Sequence, residues 1–198
     1  MNAWRLSLRT GVTAMIAVAI MACTTPDPEI ASSAVPASAA FLDHVQPADL
    51  GRDVDAAQLV SVSRDSAVFT IQVRLSVRRE ELRFVAQDMI GQRLMSVQWK
   101  GAVVNEERSP NLPAFIVPKG LLADLVAICW PEEIVRKALA SSGSTLVIRN
   151  NERIILAKSG ETMRAARSWG PQASWTGRLS YRNVRAGYTV DVQSMEQP

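Results

Sequence analysis

Nucleophilic or acid–base chemistry in this 198-residue chain would have to come from Cys23, Cys129, the single histidine His44 and scattered carboxylates such as Asp124. A cysteine beside a histidine would be the natural nucleophile–base pair. No spacing ties these two together. Cys129 lies in an apolar helical run, where a free cysteine behaves as a small buried hydrophobe. Asp124 falls in the same run, and a lone helical aspartate is ordinarily a solvated or locally paired charge. Glu106-Glu107-Arg108 reads as a loop or a strand end. The sequence shows no metal-ligand cluster, no phosphate-binding glycine loop and no pair of carboxylates sharing a face. Side-chain catalysis needs convergent polar groups. The expectation is therefore a protein that is not an enzyme, with no metal and no cofactor.

Cys23 has a different context. Arg5 and Arg9 are followed by an apolar run from Gly11 to Ala22. At about 12 residues the run is far shorter than the roughly 20 that cross a bilayer, and it has the layout of a secretory leader. Ile20-Met21-Ala22-Cys23 resembles the bacterial lipobox. That resemblance implies cleavage before Cys23, a diacylglyceryl thioether on its sulfur and acylation of the new amine. Several acyl chains anchor stably where one does not. Thr24 after the cysteine, rather than Asp, implies sorting to the outer membrane. The alternative is an ordinary leader with an incidental cysteine. Lipidation leaves Cys129 alone, so no intramolecular disulfide is expected.

The formal charge of +3 shrinks once Arg5 and Arg9 are removed, because the remaining Lys and Arg nearly balance 19 acidic residues. No basic block remains, so nucleic acid is not an expected partner. Residues 23–40 are the lipidated cysteine and an Ala/Ser/Pro/Thr-rich tether. Residues 41–198 are the folded domain.

Within the domain, Phe69, Ile71, Val73, Leu75 and Val77 alternate with polar residues, the mark of a long half-buried strand. Leu82, Phe84 and Ala86 continue the alternation, as do Met95, Val97 and Trp99 beyond a hairpin at Asp88-Met89-Ile90-Gly91. The period then changes. Leu121, Leu122, Leu125, Val126 and Cys129 define an amphipathic helix. Pro131 opens a second, with Glu132 and Glu133 at its positive end. Strands return at Thr145–Ile148, Arg153–Ala157, Thr162–Arg167, Trp175–Tyr181 and Tyr188–Val192, joined by short polar turns. The predicted fold is mainly β: a curved, open antiparallel half-barrel of about eight to eleven strands, with two helices between the strand blocks plugging its concave side.

The concave side then offers apolar surface from both layers. Phe69, Ile71, Val73, Leu82 and Phe84 are candidate cavity residues on the strands. Trp99, Leu121, Leu125, Trp130 and Tyr188 are the others. Each could equally be plain core. Met89 and Ile90 break the usual polar chemistry of a turn tip. They either fold back on apolar neighbours or form a tip that touches a membrane.

This layout resembles the outer-membrane lipoprotein receptor LolB and its periplasmic carrier partner LolA, half-barrels whose helices lid a cavity for acyl chains. In that resemblance Ile90, before Gly91, stands where LolB has a protruding apolar residue. Leu122-Ala123-Asp124-Leu125 and Trp130-Pro131, with Gly187-Tyr188, are similar to a family of short bacterial outer-membrane lipoproteins of unknown function. Its members are often encoded beside genes for aryl-polyene or fatty-acid-like lipid synthesis. The resemblance implies a lipid-anchored monomer on the periplasmic face of the outer membrane. It would bind an acylated lipid or lipoprotein cargo, receive it from a LolA-like carrier and pass it to the membrane. The alternative is a scaffolding lipoprotein with a filled core that docks partners of a lipid-synthesis or transport machine.

Overall fold

Alternation from Phe69 to Val77 puts five apolar side chains on one face of a strand. The computed structural model describes residues 40–167 and 175–198, and there this strand is the second of a single ten-stranded sheet. The leader, Cys23 and nearly all of the tether lie outside the described residues.

The first half of the sheet is β1 (Val54–Arg64), β2 (Ala67–Val77), β3 (Glu81–Gln87), β4 (Arg93–Lys100) and β5 (Val103–Arg108). The second half is β6 (Thr145–Arg149), β7 (Glu152–Ala157), β8 (Gly160–Arg167), β9 (Gly177–Asn183) and β10 (Tyr188–Glu196). Their order across the sheet is β5-β4-β3-β2-β1-β10-β9-β8-β7-β6. Every neighbouring pair is antiparallel. Each half is thus a meander, and the two are joined where the first strand meets the last. The mainly β, open antiparallel architecture read from the sequence is the one observed.

Register explains which residues face inward. Leu179, Val192, Val60 and Ile71 form one row across β9, β10, β1 and β2. Tyr181, Val190, Val62 and Phe69 form the next. A one-residue slip would send both rows to the solvent side, so the burial pattern pins the register. The hairpin between β3 and β4 turns at Gly91, whose φ of +89° is open to glycine without a Cβ penalty. The Asp88 carboxylate accepts hydrogen bonds from the backbone N–H groups of Ile90 (3.0 Å) and Gln92 (2.8 Å), which fixes that turn.

Between the two meanders run α1 (Pro118–Cys129) and α2 (Glu132–Ser141). Pro118 supplies the preset φ of a first helical residue. α1 stops at Trp130, which is extended (ψ 159°) because Pro131 disfavours helical backbone in the residue before it. Most of α1 is buried, including Leu122, Ala123, Val126, Ala127 and Ile128. Its predicted amphipathic character gives way to burial nearly all round. Trp130 packs against Trp99 with ring centroids 6.2 Å apart. Its indole N–H donates to the Gln46 carbonyl (3.0 Å), tying the end of α1 to the segment before β1. Phe41 and Leu42, on a short 3-10 turn (Phe41–His44), bury into the same core.

Candidate functional site

The inward rows of the sheet do not close completely on α1. A cavity of about 60 Å³ remains between them. Its sheet side is formed by Gln58, Val60, Ile71, Val73, Leu75, Phe84 and Met95 from β1 to β4, and by Leu179, Tyr181, Val190 and Val192 from β9 and β10. Leu121, Leu125 and Cys129 cover it from α1. Their four-residue spacing is the reason one stripe of the helix faces the gap. The lining is apolar apart from Gln58 and the Tyr181 hydroxyl. Gln58 Nε2 is occupied by Ser194 Oγ at 3.2 Å.

Of the cavity residues expected from sequence, Ile71, Val73, Phe84, Leu121 and Leu125 meet around this gap. Leu82, Trp99 and Trp130 lie elsewhere in the packed core, and Phe69 is half-buried against it. Tyr188 turns its hydroxyl to Asp124 instead. The remaining lining residues, Val60 and the inward side chains of β9 and β10 among them, follow from register. The sequence alone does not show that β10 crosses back to pair with β1.

α1 is fixed by polar groups at three heights. At its N-terminus the Glu106 carboxylate accepts the Lys119 N–H at 2.8 Å, answering one of the orphan donors of a helix start. At its C-terminus the buried Arg153 guanidinium donates to the carbonyls of Ala127 (3.1 Å) and Trp130 (2.7 Å). A cation there also complements the helix dipole.

In the middle, Asp124 is wholly buried. It accepts from Asn183 Nδ2, at 3.0 and 3.2 Å to its two oxygens, and from the Tyr188 hydroxyl. The buried Tyr181 phenol stands near the same carboxylate. The Asn183 carbonyl oxygen in turn holds the Ala186 N–H of the β9–β10 turn at 2.9 Å. Loss of solvent pushes the Asp124 carboxyl up to about 6, against the opposing pull of its hydrogen bonds. Burial and the Asp124 charge push both tyrosine phenols upward. Of the two readings the sequence left for Asp124, a solvated or a locally paired charge, burial rules out the first, and its partners are neutral hydrogen-bond donors. The overlooked signal was the apolar character of α1 on every side, which leaves an aspartate at its centre no route to water.

Met89 and Ile90 do not fold back. Met89 is 59% exposed and Ile90 is 90% exposed at the hairpin tip. His44 is exposed on its 3-10 turn, and Cys129 is buried and forms no disulfide among the described residues. Among the described residues, no three His, Cys, Asp or Glu side chains gather into a metal-binding group.

The family model described as protein of unknown function (DUF3261) matches residues 55–196. No curated protein matches the chain. Among solved structures, the chain is similar to a LolA superfamily protein from Nitrosomonas europaea, with a TM-score of 0.41 and 9% identity over 79% of this chain and 88% of that one. It is also similar to a "putative outer membrane lipoprotein-sorting protein domain" from Vibrio parahaemolyticus, with a TM-score of 0.40 and 9% identity over 73% of this chain and 85% of that one.

Proposed function

We propose that this chain, which belongs to the DUF3261 family, binds an acyl chain between α1 and the concave sheet and passes it to a membrane. The observation that carries this reading is the apolar cavity beneath Leu121, Leu125 and Cys129. At about 60 Å³ it is the closed form of such a site. It is smaller than the roughly 150 Å³ apolar cavity that takes up a benzene. Entry of a chain therefore requires the α1 stripe that carries Leu121 and Leu125 to give way.

The energetics permit that movement. Burying ten methylenes contributes about 8 kcal/mol. Turning the half-buried Leu121 and Leu125 aside costs about 1.5–3 kcal/mol on the same scale, while the buried face of α1 stays seated. The cargo is an acylated lipid or lipoprotein, handed over by a LolA-like carrier. Cys23 holds the protein to the periplasmic face of the outer membrane through its acyl chains, and the Met89-Ile90 tip meets the bilayer. Transfer of this kind breaks no covalent bond and needs no catalytic residue.

The test is lipid extraction from the purified full chain followed by mass spectrometry, with displacement of a fluorescent fatty acid as a second readout. Bound acyl lipid that falls away in Leu125→Trp is the expected result. A chain that neither retains lipid nor takes up the probe would overturn the reading. The small cavity favours one alternative, a scaffolding lipoprotein with an effectively filled core. In that case the probe finds no site, and cross-linking returns a stable protein partner.

A further inference from the structure

Polarity along one side of the cavity changes in steps. Across the seam between β1 and β10, the pairs on the concave side run Val60 with Val192, Gln58 with Ser194 and Ala56 with Glu196. The first pair is aliphatic and the second is polar without charge. The third carries Glu196, which pairs with Arg52 and accepts the Trp175 backbone N–H at 2.6 Å. Toward that end of the sheet the surface thus passes from hydrocarbon to neutral dipoles to a closed ion pair. Solvent reaches the cavity in the same region. Of the residues that line it, Gln58, Leu121 and Leu125 are half-buried and all the others are buried.

Gln58 and Ser194 have hydrogen-bonding capacity to spare. Gln58 Nε2 donates one of its two hydrogens to Ser194 Oγ at 3.2 Å. Among the described residues, the second Nε2 hydrogen, the Gln58 carbonyl oxygen and the Ser194 hydroxyl hydrogen find no other side-chain or backbone partner. Ser194 is 7% exposed, which leaves water little access to it. Buried polar groups are ordinarily satisfied. An amide and a hydroxyl with open valences, at the mouth of a hydrocarbon slot, suit a polar group at the head of a hydrocarbon chain.

We infer that Gln58, held in place by Ser194, receives the uncharged carbonyl that joins an acyl chain to its carrier, an ester or an amide, and so selects linked acyl chains over free fatty acids. This rests on the cargo reading above and adds which class of chain the site prefers. The cargo carbonyl accepts the spare Gln58 N–H, and the chain runs inward along Val60 and Val192. An ionised carboxylate placed at Gln58 would lose its water without gaining a counter-charge. No cation lines the cavity, and Arg52 is already engaged by Glu196. An amide-linked chain belongs to an N-acylated protein and an ester-linked chain to a glycerolipid. Both present the same carbonyl.

The test displaces a fluorescent fatty acid from the purified full chain with ligands of one chain length: N-methyldodecanamide, methyl dodecanoate, dodecanoate and dodecane. Each is compared between the native chain and Gln58→Leu, which cancels differences in ligand hydrophobicity. The amide and the ester should bind the variant about three- to tenfold more weakly, the worth of one net hydrogen bond. Dodecanoate and dodecane should bind it as well as before. Ser194→Ala, which frees the Gln58 side chain without removing it, should weaken the same carbonyl ligands alone, and it carries the test if the leucine variant misfolds. A carbon-13 label in the ester carbonyl supplies a second readout. Its infrared band should move to lower frequency on binding to the native chain and return in Gln58→Leu. The larger loss names the source, the amide for an acylated protein and the ester for a glycerolipid. Carbonyl ligands indifferent to both substitutions, an unshifted band, or an equal loss for dodecanoate would sink this inference and leave the cargo reading standing. A native chain that binds none of the ligands defeats the cargo reading, and this inference with it.

Discussion

The hydroxyl of Tyr188, at the start of β10, donates to the carboxylate of Asp124, at the centre of α1. One hydrogen bond thus joins the helix that covers the cavity to the strand that closes the sheet. Asn183 shares the carboxylate from β9. How firmly α1 is seated depends on this buried group, and its protonation is a direct handle on it.

Asp124 has its carboxyl raised from 3.8 to about 6, so the folded protein binds a proton that the unfolded chain has released. The stabilisation is complete below the unfolded value and is lost as pH rises through about 6. Its size is about 3 kcal/mol. Chemical denaturation at steps from pH 4 to 7 should show a fall in stability that Asp124→Asn abolishes. Equal pH slopes in the two proteins would count against the buried acid. Half-buried Asp55, Glu81 and Glu161 are held low by arginine partners and act with the opposite sign, which is why the variant comparison isolates Asp124.

Asp124→Ala leaves the Tyr188 and Asn183 donors buried without their acceptor. The expected loss is about 2–4 kcal/mol. The seating of α1 should loosen as well, seen as faster amide exchange along Pro118–Cys129 than in the native protein under the same conditions.

Arg153→Met removes the cation that serves the last carbonyls of α1 while roughly keeping side-chain bulk. Orphaning those carbonyls should cost about 3 kcal/mol, measured from urea midpoints. A change under half that size would mean that water replaces the guanidinium.

Ile90→Glu tests the hairpin tip. A residue 90% exposed contributes almost nothing to the fold, so stability should stay within about 0.5 kcal/mol. Delivery of a fluorescent acylated cargo to vesicles should drop sharply, while uptake of that cargo stays normal. Unchanged delivery would remove the tip from the transfer step.

Much of this architecture is legible in the sequence because period two is a local signal. β2, β3 and β4 announce themselves through Phe69 to Val77, Leu82 to Ala86 and Met95 to Trp99. α1 and α2 are bounded by Pro118 and Pro131. β1 is harder to see, since Asp55-Ala56-Ala57-Gln58 carries little apolar contrast, and it becomes a central strand through its partners on both sides. β5 hides for a related reason. Glu106, Glu107 and Arg108 are edge-strand residues, and charge is how an exposed edge avoids pairing with other chains. The cavity was half legible: the inward residues of β2 and β3 and the stripe on α1 could be named, whereas Val190 and Val192 enter through register alone. Asp124 was left open between a solvated and a locally paired group because a residue's solvation depends on what surrounds its helix.

The meeting of β1 with β10 has a consequence for how the chain matures. Ala56 faces Glu196 across that seam, and Gln197 N–H donates to the Asp55 carbonyl at 2.7 Å. The middle of the sheet is thus its last piece to be supplied by an emerging polypeptide. Until β10 arrives, each meander has one raw inner border, at β1 and at β9, and α1 lacks the tyrosine that seats it. A chain stalled before Tyr188 therefore presents two sticky half-sheets to its surroundings, and the apolar hollow beneath α1 comes into being only with the final strand.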